Sequence, residues 1–367
     1  MSNKPARGWK AEAPYNELPP LPPSAPLQTP AILKATIKAR AALAELDRLA
    51  GKLPNPGILV RTLPLMEARC SSQIENIVTT DDMLFQRADQ PDDSTLPEIR
   101  EASRHAEALL EAYHGLKKLP VCSRLAQQVC SRIKDQPMSV RKLPGTVIAS
   151  RRQVMYTPPV GEAVIRGLLA NWEAYLHSED DTDPLIRMAV AHYQFEAIHP
   201  FTDGNGRTGR ILNSLYLTEA GLLEQPILYL SRYILANRSD YYRLLNAVTS
   251  HEAWEDWVVY ILQGVAEVAT WTAGKVREIH ALVDTTQKLI AKKCPDLPLD
   301  DMMRAIFEQP YCRIRHLVVA GVAKRETASI YLVKLAKAGV LTEIKQGRDK
   351  LFLNHRLVAL LTNPTDR

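Results

Sequence analysis

Residues 199–210 read HPFTDGNGRTGR, and this stretch holds the residue types that phosphate chemistry requires. The preceding residues 184–198 have helical apolar spacing, and Pro200 cannot continue a helix interior, so a helix is predicted to end near His199. An unperturbed imidazole titrates near pH ~6.5, which makes His199 well suited to take a proton near neutral pH. Asp203 could hold a Mg2+ or Mn2+ ion that bridges phosphates.

A glycine-containing turn and a second predicted helix follow. Gly204, Asn205 and Gly206 form a turn in which the glycines permit positive φ, so successive backbone N–H groups can face an anion. The helix that begins near Arg207 has unpartnered N–H groups and the positive end of its dipole there, which favours phosphate. Arg207 and Arg210 lie three residues apart and can grip phosphate oxygens from one face. The stretch predicts a nucleoside triphosphate site and transfer of part of that ligand to a hydroxyl.

This segment resembles the Fic family motif HPFx(D/E)GNGRxxR and matches it at every fixed position. The resemblance implies a mainly α fold, with a Fic-type helical core and a β-hairpin flap, that uses ATP to attach AMP to Ser, Thr or Tyr hydroxyls of proteins. It also implies these roles: His199 as general base, Asp203 as Mg2+ ligand, Gly204, Asn205 and Gly206 as the anion hole, Arg207 as a phosphate contact and Arg210 as the γ-phosphate contact.

Residues 71–76, SSQIEN, resemble the inhibitory pattern (S/T)xxxE(G/N) of the same family, with Ser71, Glu75 and Asn76 at its fixed positions. The resemblance implies that Glu75 pairs with Arg210, so that ATP binds only in an unproductive pose. The alternative for so short a pattern is a solvated glutamate.

Residues 145–161 predict two short strands about a polar turn. The resemblance implies a flap whose edge, at Val154, Met155 and Tyr156, docks an extended segment of the target by main-chain hydrogen bonds near His199. The alternative is an ordinary surface hairpin.

Tyr241 and Tyr242 lie early in a later predicted helix. They resemble the tyrosines on the adenine and ribose side of the ATP site in the Fic family. As bare residues they fit a hydrophobic core.

Composition limits the class of protein. The chain has 367 residues, 46% of them hydrophobic, which is ordinary for a globular protein of two or three modules. Its sequence has neither an apolar run of bilayer length nor the apolar region of a signal peptide, so no membrane partner is expected. Its five cysteines show no C-x-x-C pair, which predicts reduced thiols in a cytoplasmic protein, without a zinc site.

We divide the chain into three predicted regions. Residues 1–94 contain a Pro-rich arm and an N-terminal helical region with the inhibitory helix. Residues 95–275 form the Fic catalytic core, and residues 276–367 a linker helix and a winged helix-turn-helix domain. The Pro-rich residues 1–30 are expected to be extended, either lying on the body or forming a loose lead-in.

Residues 301–367 hold twelve Lys and Arg against six Asp and Glu, although the whole chain has a net charge of only +5. A winged helix could bind DNA, with these polar and basic residues near bases or phosphates: Lys324, Arg325, Thr327 and Ser329 on the recognition helix, and Lys345, Arg348 and Lys350 on the wing. The alternative is a protein-interaction or dimer module, so a homodimer is the other open partner.

Three functions remain open. The first is a protein adenylyltransferase restrained by Glu75, whose substrates could include the chain itself. The second is a DNA-binding regulator that senses nucleotide. The third is a Fic enzyme that removes AMP or transfers another phosphate-containing group. The intact motif favours the first, since both His199 and Asp203 are present.

Overall fold

The computed structural model describes residues 9–53, 57–78, 80, 84–85, 97–150, 153–308, 310–346 and 349–362. Their fold is mainly α, as predicted. The helices are α1 (Pro30–Ala50), α2 (Gly57–Ile74), α3 (Pro97–Gly115), α4 (Ser123–Lys134), α5 (Glu162–Leu176), α6 (Pro184–Ile198), α7 (Asn205–Glu219), α8 (Leu230–Ala236), α9 (Arg238–His251), α10 (Trp254–Lys293), α11 (Leu299–Glu308), α12 (Ile314–Val319), α13 (Arg325–Lys337) and α14 (His355–Thr362). The strands are β1 (Ile148–Ser150), β2 (Gln153–Tyr156), β3 (Tyr311–Arg313), β4 (Thr342–Gln346) and β5 (Asp349–Leu353).

The 40-residue helix α10 joins the main helical body to the C-terminal elements. At 1.5 Å per residue it is about 60 Å long. It packs along α1 and against α6, α8 and α9, and it also contacts α11 and α14. The indole of Trp257, which is fully buried, donates to the carbonyl of Ala189 in α6 at 2.8 Å. Among the helices of the described residues, none is both long and apolar enough to cross a bilayer.

Helix α6 lies at the centre of the body, and every side chain from Leu185 to Ile198 is buried. It begins with a proline at its first position, where the missing N–H costs nothing. Asp183 caps it by accepting from the N–H of Leu185 at 2.9 Å. The helix ends at the residue before His199, as the sequence predicted. Because α6 is buried along its length, it fixes the position of His199, which follows it.

The Pro-rich arm lies on the body and has no regular helix or strand over residues 9–29. The N–H of Tyr15 donates to the carbonyl of Thr157, just after β2, at 3.0 Å. Asn171 of α5 accepts from the N–H of Leu21 at 2.7 Å and donates to its carbonyl at 2.9 Å. Of the two arrangements expected for this arm, the structure has the one in which it rests on the body.

Strands β1 and β2 form the predicted antiparallel hairpin. Ile148 pairs with Tyr156 and Ala149 with Val154, so one extra residue, Met155, forms a bulge on β2. The buried Tyr156 donates from its hydroxyl to a backbone carbonyl of α6 at 2.9 Å. The hairpin is therefore attached to the helix that ends at His199.

The C-terminal elements have the order of helices and hairpin that the sequence predicted. Strands β3, β5 and β4 form an antiparallel sheet in that order. Leu332 and Leu335 of α13 and Phe352 of β5 are fully buried, which gives this part of the chain a core. All five cysteines of the protein are likewise buried.

Candidate active site

Two backbone constraints place His199 at the end of α6. Its φ of 48° lies in the left-handed region, and its N–H still donates to the carbonyl of Phe195 at 3.0 Å. The buried Arg141 donates from Nε to the carbonyl of His199 at 2.8 Å and from Nη2 to the carbonyls of Ile198, at 3.2 Å, and Pro159. Arg141 thus holds the end of α6 at His199 against the segment after β2. The sequence analysis missed this residue, since no local pattern distinguishes it from a surface arginine.

The imidazole of His199 is neutral at physiological pH. Burial lowers its pKa to about 4, and the positive charge of Arg141 acts in the same direction. The carbonyl of Glu196 and the carboxylates of Glu75 and Asp203 oppose this shift but do not cancel it. A neutral imidazole can accept a proton, so His199 is in the form that a general base needs.

The turn between α6 and α7 is closed by one side chain. The amide of Asn205 accepts from the N–H of Phe201 and donates to its carbonyl, both at 2.8 Å. Gly204 has a φ of 80°, and a Cβ there would lie 3.2 Å from the sulfur of Cys130. The turn therefore requires glycine both for its backbone and for space, and it directs the N-terminus of α7 back toward His199.

Arg210 is paired with the segment that was predicted to be inhibitory. Its Nε donates to Ser71 Oγ at 2.8 Å, and its Nη2 donates to Ser71 O at 2.9 Å and to Glu75 Oε1 at 3.0 Å. Burial alone would lower the pKa of Arg210, but the Glu75 carboxylate outweighs it and holds that pKa above its usual range. A Cβ at Gly206 would lie 2.5 Å from Glu75 Oε1, so only glycine leaves room for this pair.

Asn76 supports the pair from the end of α2. Its φ is 65°, a conformation that glycine and asparagine adopt most readily, and Ile77 N–H closes the helix end on the carbonyl of Ser72 at 3.0 Å. Its side chain accepts from Arg238 at 3.0 Å. The asparagine or glycine of the pattern is thus explained by the left-handed turn that follows Glu75.

Four charged residues form what we call the charge cluster: Glu101, Lys134, Asp203 and Arg207. Lys134 Nζ lies 2.6 Å from Asp203 Oδ2 and 3.1 Å from Glu101 Oε1. The same Glu101 oxygen accepts from Arg207 Nη1. Glu101 and Lys134 come from α3 and α4, far from the motif in sequence, and the sequence analysis did not identify them.

The charges of the cluster stabilise one another. Burial acts to raise the pKa values of Asp203 and Glu101, but their cationic partners hold both below the usual range. Burial would lower the pKa of Lys134, and its two carboxylate partners raise it instead. All three groups are therefore ionised at neutral pH.

The environment of Asp203 fits a metal ion that is carried in with a nucleotide. Among the described residues there is no group of three or more His, Cys, Asp or Glu side chains that could hold a metal. Asp203 is 61% exposed and offers one carboxylate. Mg2+ is commonly bound by one or two carboxylates together with substrate phosphates and water, so this donor set is sufficient only when phosphates are present.

The structure separates the two tyrosines that were predicted to contact ATP. Tyr241 is 2% exposed, and its hydroxyl lies 3.0 Å from Nε2 of the buried His192, so in this conformation it offers no face to a nucleotide. Tyr242 is half-buried, with the guanidinium of Arg238 5.7 Å from its ring centre. Tyr242 keeps the predicted role as a proposal, whereas Tyr241 belongs to the core.

Glu196 is a buried acid one turn before His199. Burial raises its pKa to about 7, although the positive charge of Arg210 acts against this. A Cβ at Gly209 would lie 2.7 Å from its Oε1, so the glycine leaves space for this carboxyl. Glu196 is thus a buried acid whose charge changes near neutral pH, as is Glu67 of α2, whose pKa burial also raises to about 7.

The three predicted flap residues face different ways. Met155 is 36% exposed, Val154 is half-buried and Tyr156 is buried. Contacts to a target could therefore come from Val154, Met155 and the strand backbone, while Tyr156 anchors the hairpin.

In the C-terminal part, Lys324 and Arg325 are exposed and Thr327 and Ser329 are half-buried. Lys350 lies 2.9 Å from Glu343, so this wing cation is already neutralised across the strand pair. Arg348 and the side chain of Lys345 lie outside the described residues. DNA and a homodimer stay predictions for this surface.

The profile "Fic/DOC family" matches residues 85–217, which include the α6–α7 turn and both of its arginines, and the profile "Fic/DOC family N-terminal" matches residues 33–114. The chain carries the domains of the Fic/DOC family. A third profile, "Protein adenylyltransferase SoFic-like, C-terminal domain", matches residues 282–357.

Two curated relatives and one solved structure illustrate the similarity. A probable protein adenylyltransferase of Aquifex aeolicus is 29% identical over 182 residues, which are 47% of this chain and 53% of that protein. Protein adenylyltransferase fic-1 of Caenorhabditis briggsae is 35% identical over 104 residues, 26% of this chain and 20% of that protein. The chain thus spans between a fifth and about half of these relatives.

The crystal structure of a Fic family protein from Desulfovibrio desulfuricans superposes with a TM-score of 0.60 at 20% identity. The match covers 89% of this chain and 96% of that one. It supports the fold.

Proposed function

We propose that this protein transfers AMP from ATP to Ser, Thr or Tyr hydroxyls of proteins and that Glu75 restrains the reaction. The observation that carries the proposal is the short turn, closed by Asn205, that holds a neutral histidine beside the N-terminus of α7 and its two arginines. The names of the curated relatives support the same activity.

The chemistry follows from these positions. The target hydroxyl loses its proton to His199, and its oxygen forms a bond to the α-phosphorus of ATP. The bond between that phosphorus and the bridging oxygen breaks, and pyrophosphate leaves with the bond electrons. The protein contributes mostly position and charge: the N–H groups of the α7 N-terminus and the guanidinium of Arg207 face the phosphates.

Asp203 would hold the divalent cation. When bound with ATP, such an ion neutralises charge on the phosphates and on the leaving pyrophosphate. Mg2+ and Mn2+ both suit a carboxylate and phosphate oxygens.

The restraint on transfer depends on the partners of the Arg210 guanidinium. All of its described bonds go to Ser71 and Glu75, and its side chain is 1% exposed. A γ-phosphate that needs the same guanidinium has to displace Glu75. While Glu75 stays, the triphosphate is held without its terminal contact, and the α-phosphorus is not aligned for attack.

The flap supplies the target site in this proposal. An extended segment of the target would add to the edge of the hairpin, with its main chain as the main contact. Since Tyr156 fixes the hairpin to α6, the docked hydroxyl is brought toward His199.

Intact mass spectrometry tests the proposal. Wild type, Glu75→Gly and His199→Ala are each incubated with ATP and Mg2+, alone and with a cell lysate that contains radiolabelled ATP. We expect AMP units on the Glu75→Gly chain or label on lysate proteins, and neither with His199→Ala. Label that persists unchanged in His199→Ala would exclude this histidine as the base, and its absence from every variant in both assays would contradict the transferase.

A further inference from the structure

We infer that Lys134 is a built-in counter-cation for Asp203, which occupies the carboxylate until a divalent cation arrives with nucleotide, and that Glu101 keeps Lys134 paired once it is displaced. Lys134 would thereby set the cation concentration that the site requires. This inference rests on the proposed function, because it takes ATP with a divalent cation as the ligand.

Both oxygens of the Asp203 carboxylate already have partners. Oδ1 accepts the N–H of Gly204 at 2.6 Å, and Oδ2 lies 2.6 Å from Lys134 Nζ. The carboxylate is 61% exposed, so an ion can approach it from solvent. Mg2+ needs a carboxylate oxygen at about 2.0–2.1 Å in a near-octahedral shell. It has to compete for Oδ2 with an ammonium group that is already in contact.

Glu101 lies where it can keep Lys134 paired. Its Oε1 lies 3.1 Å from Lys134 Nζ and also binds Arg207. When Lys134 leaves Asp203, it therefore keeps one carboxylate partner. Keeping one of its two partners costs less than leaving the ammonium group, 19% exposed here, without a counter-charge. Glu101 makes the displacement reversible.

The charges of the cluster are balanced. The cluster has two acids and two bases, so its net charge is zero before ligand binds. A divalent cation alone would leave the site with a surplus of positive charge, which the triphosphate then compensates. The ion and the nucleotide should therefore bind cooperatively, and each should raise the affinity of the site for the other by the same factor.

The structure also indicates how Lys134 moves. A Cβ at Gly204 would lie 3.4 Å from Lys134 Cδ, so the side-chain stem runs beneath the turn. Lys134 is the last residue of α4, and Asp135 after it has a φ of 54°. The ammonium can change partners by rotating its last bonds, without movement of the helix or the turn.

The test is calorimetric binding of α,β-methylene ATP, which cannot be cleaved at the α–β bond, at increasing Mg2+ concentrations. All variants carry Glu75→Gly, so that the nucleotide can reach its aligned pose. Lys134→Met should lower the Mg2+ concentration for half-maximal binding about tenfold, a change of about 1.4 kcal/mol. Lys134→Arg, which keeps the positive charge, should return this midpoint toward the parent value.

Arg132→Met is the matched control. Arg132 lies on the same helix and pairs with Glu107 and Glu111 of α3, at a half-buried position outside the cluster. Its loss should leave the Mg2+ midpoint unchanged. Thermal unfolding of each variant checks that the folded protein is being measured.

Three outcomes would overturn the inference. Equal Mg2+ midpoints for the parent and Lys134→Met would show that Lys134 does not compete with Mg2+ for Asp203. A higher midpoint for Lys134→Met would make the lysine a contributor to ligand binding instead. Failure of the parent to bind nucleotide at any Mg2+ concentration would overturn the proposed function, and the inference with it.

Discussion

The pair between Glu75 and Arg210 leads to the sharpest prediction. Replacing Glu75 by glycine removes one charged hydrogen bond of 3.0 Å and leaves the two bonds from Arg210 to Ser71 in place. The guanidinium stays buried and oriented, yet one of its N–H groups becomes available to a γ-phosphate. We therefore expect a faster AMP transfer, with Arg210 still held in position.

The size of the effect follows from the contact. A hydrogen bond to a charged group contributes about 1.5–3 kcal/mol, which corresponds to roughly 10- to 150-fold in rate. The Glu75 side chain is 36% exposed, so solvent screens its charge. We therefore expect activation near the lower end, about 10- to 30-fold. The activation should shrink as salt rises, because salt weakens the restraint that the mutation removes.

The assay is the initial rate of AMP incorporation at saturating ATP, with transfer followed by intact mass. Glu75→Gln separates charge from hydrogen bonding, and its rate should lie between wild type and Glu75→Gly. Asn76→Gly is the matched control at the helix end. Glycine accepts the φ of 65° at this position, so the end of α2 and the restraint should both persist.

Two results would refute the reasoning. An unchanged rate in Glu75→Gly at saturating ATP would show that Glu75 is not what limits transfer. Equal activation in Asn76→Gly would assign the effect to a loosened helix end instead of to the carboxylate.

Three further predictions concern the same site. His199→Ala should abolish transfer but leave ATP binding, measured by calorimetry, unchanged. The wild-type rate should fall only as pH drops through about 4, the pKa of His199. A loss of rate below pH ~6.5 would contradict the buried neutral base. Glu196 has its pKa raised to about 7, so it stabilises the fold at low pH and loses this contribution as pH rises through that value. The melting temperature of Glu196→Gln relative to wild type should therefore increase from about pH 5 to about pH 8, and a constant difference would argue against the shift. Arg141→Met leaves three backbone carbonyls without their donor, so it should lower the unfolding free energy by about 3 kcal/mol and reduce kcat more than it reduces ATP affinity. Arg141→Lys should have milder effects. An unaltered denaturation midpoint in Arg141→Met would contradict this role.

Much of the site follows from local sequence. The helix end at His199, the turn that requires glycine at Gly204 and the start of α7 depend on neighbouring residues, so spacing alone predicts them. The apolar pairs and the polar turn of residues 145–161 likewise predict the β1–β2 hairpin. The pairing of Glu75 with Arg210 came from the family pattern, and the structure brings the two side chains together.

The residues that the sequence analysis missed depend on packing between distant helices. Glu101 and Lys134 reach the motif only because α3 and α4 both pack on α7, and no local period reports that. Tyr241 shows the same limit within one helix. Adjacent residues on a helix point about 100° apart, so one tyrosine of the pair entered the core while Tyr242 stayed at its edge.

The Pro-rich arm has a consequence for the order of folding. Its bonds to the body join residues 142 to 175 positions apart, from Tyr15 with Thr157 to Pro19 with Gln194. Closing loops of this length is slow relative to forming a local helix pair. During synthesis the arm can therefore dock only after β2 and α6 have formed. The hairpin gains the contacts of the arm only at that stage. The surface proposed to receive a target is thus completed late, after the helices that are proposed to hold the nucleotide have been synthesised.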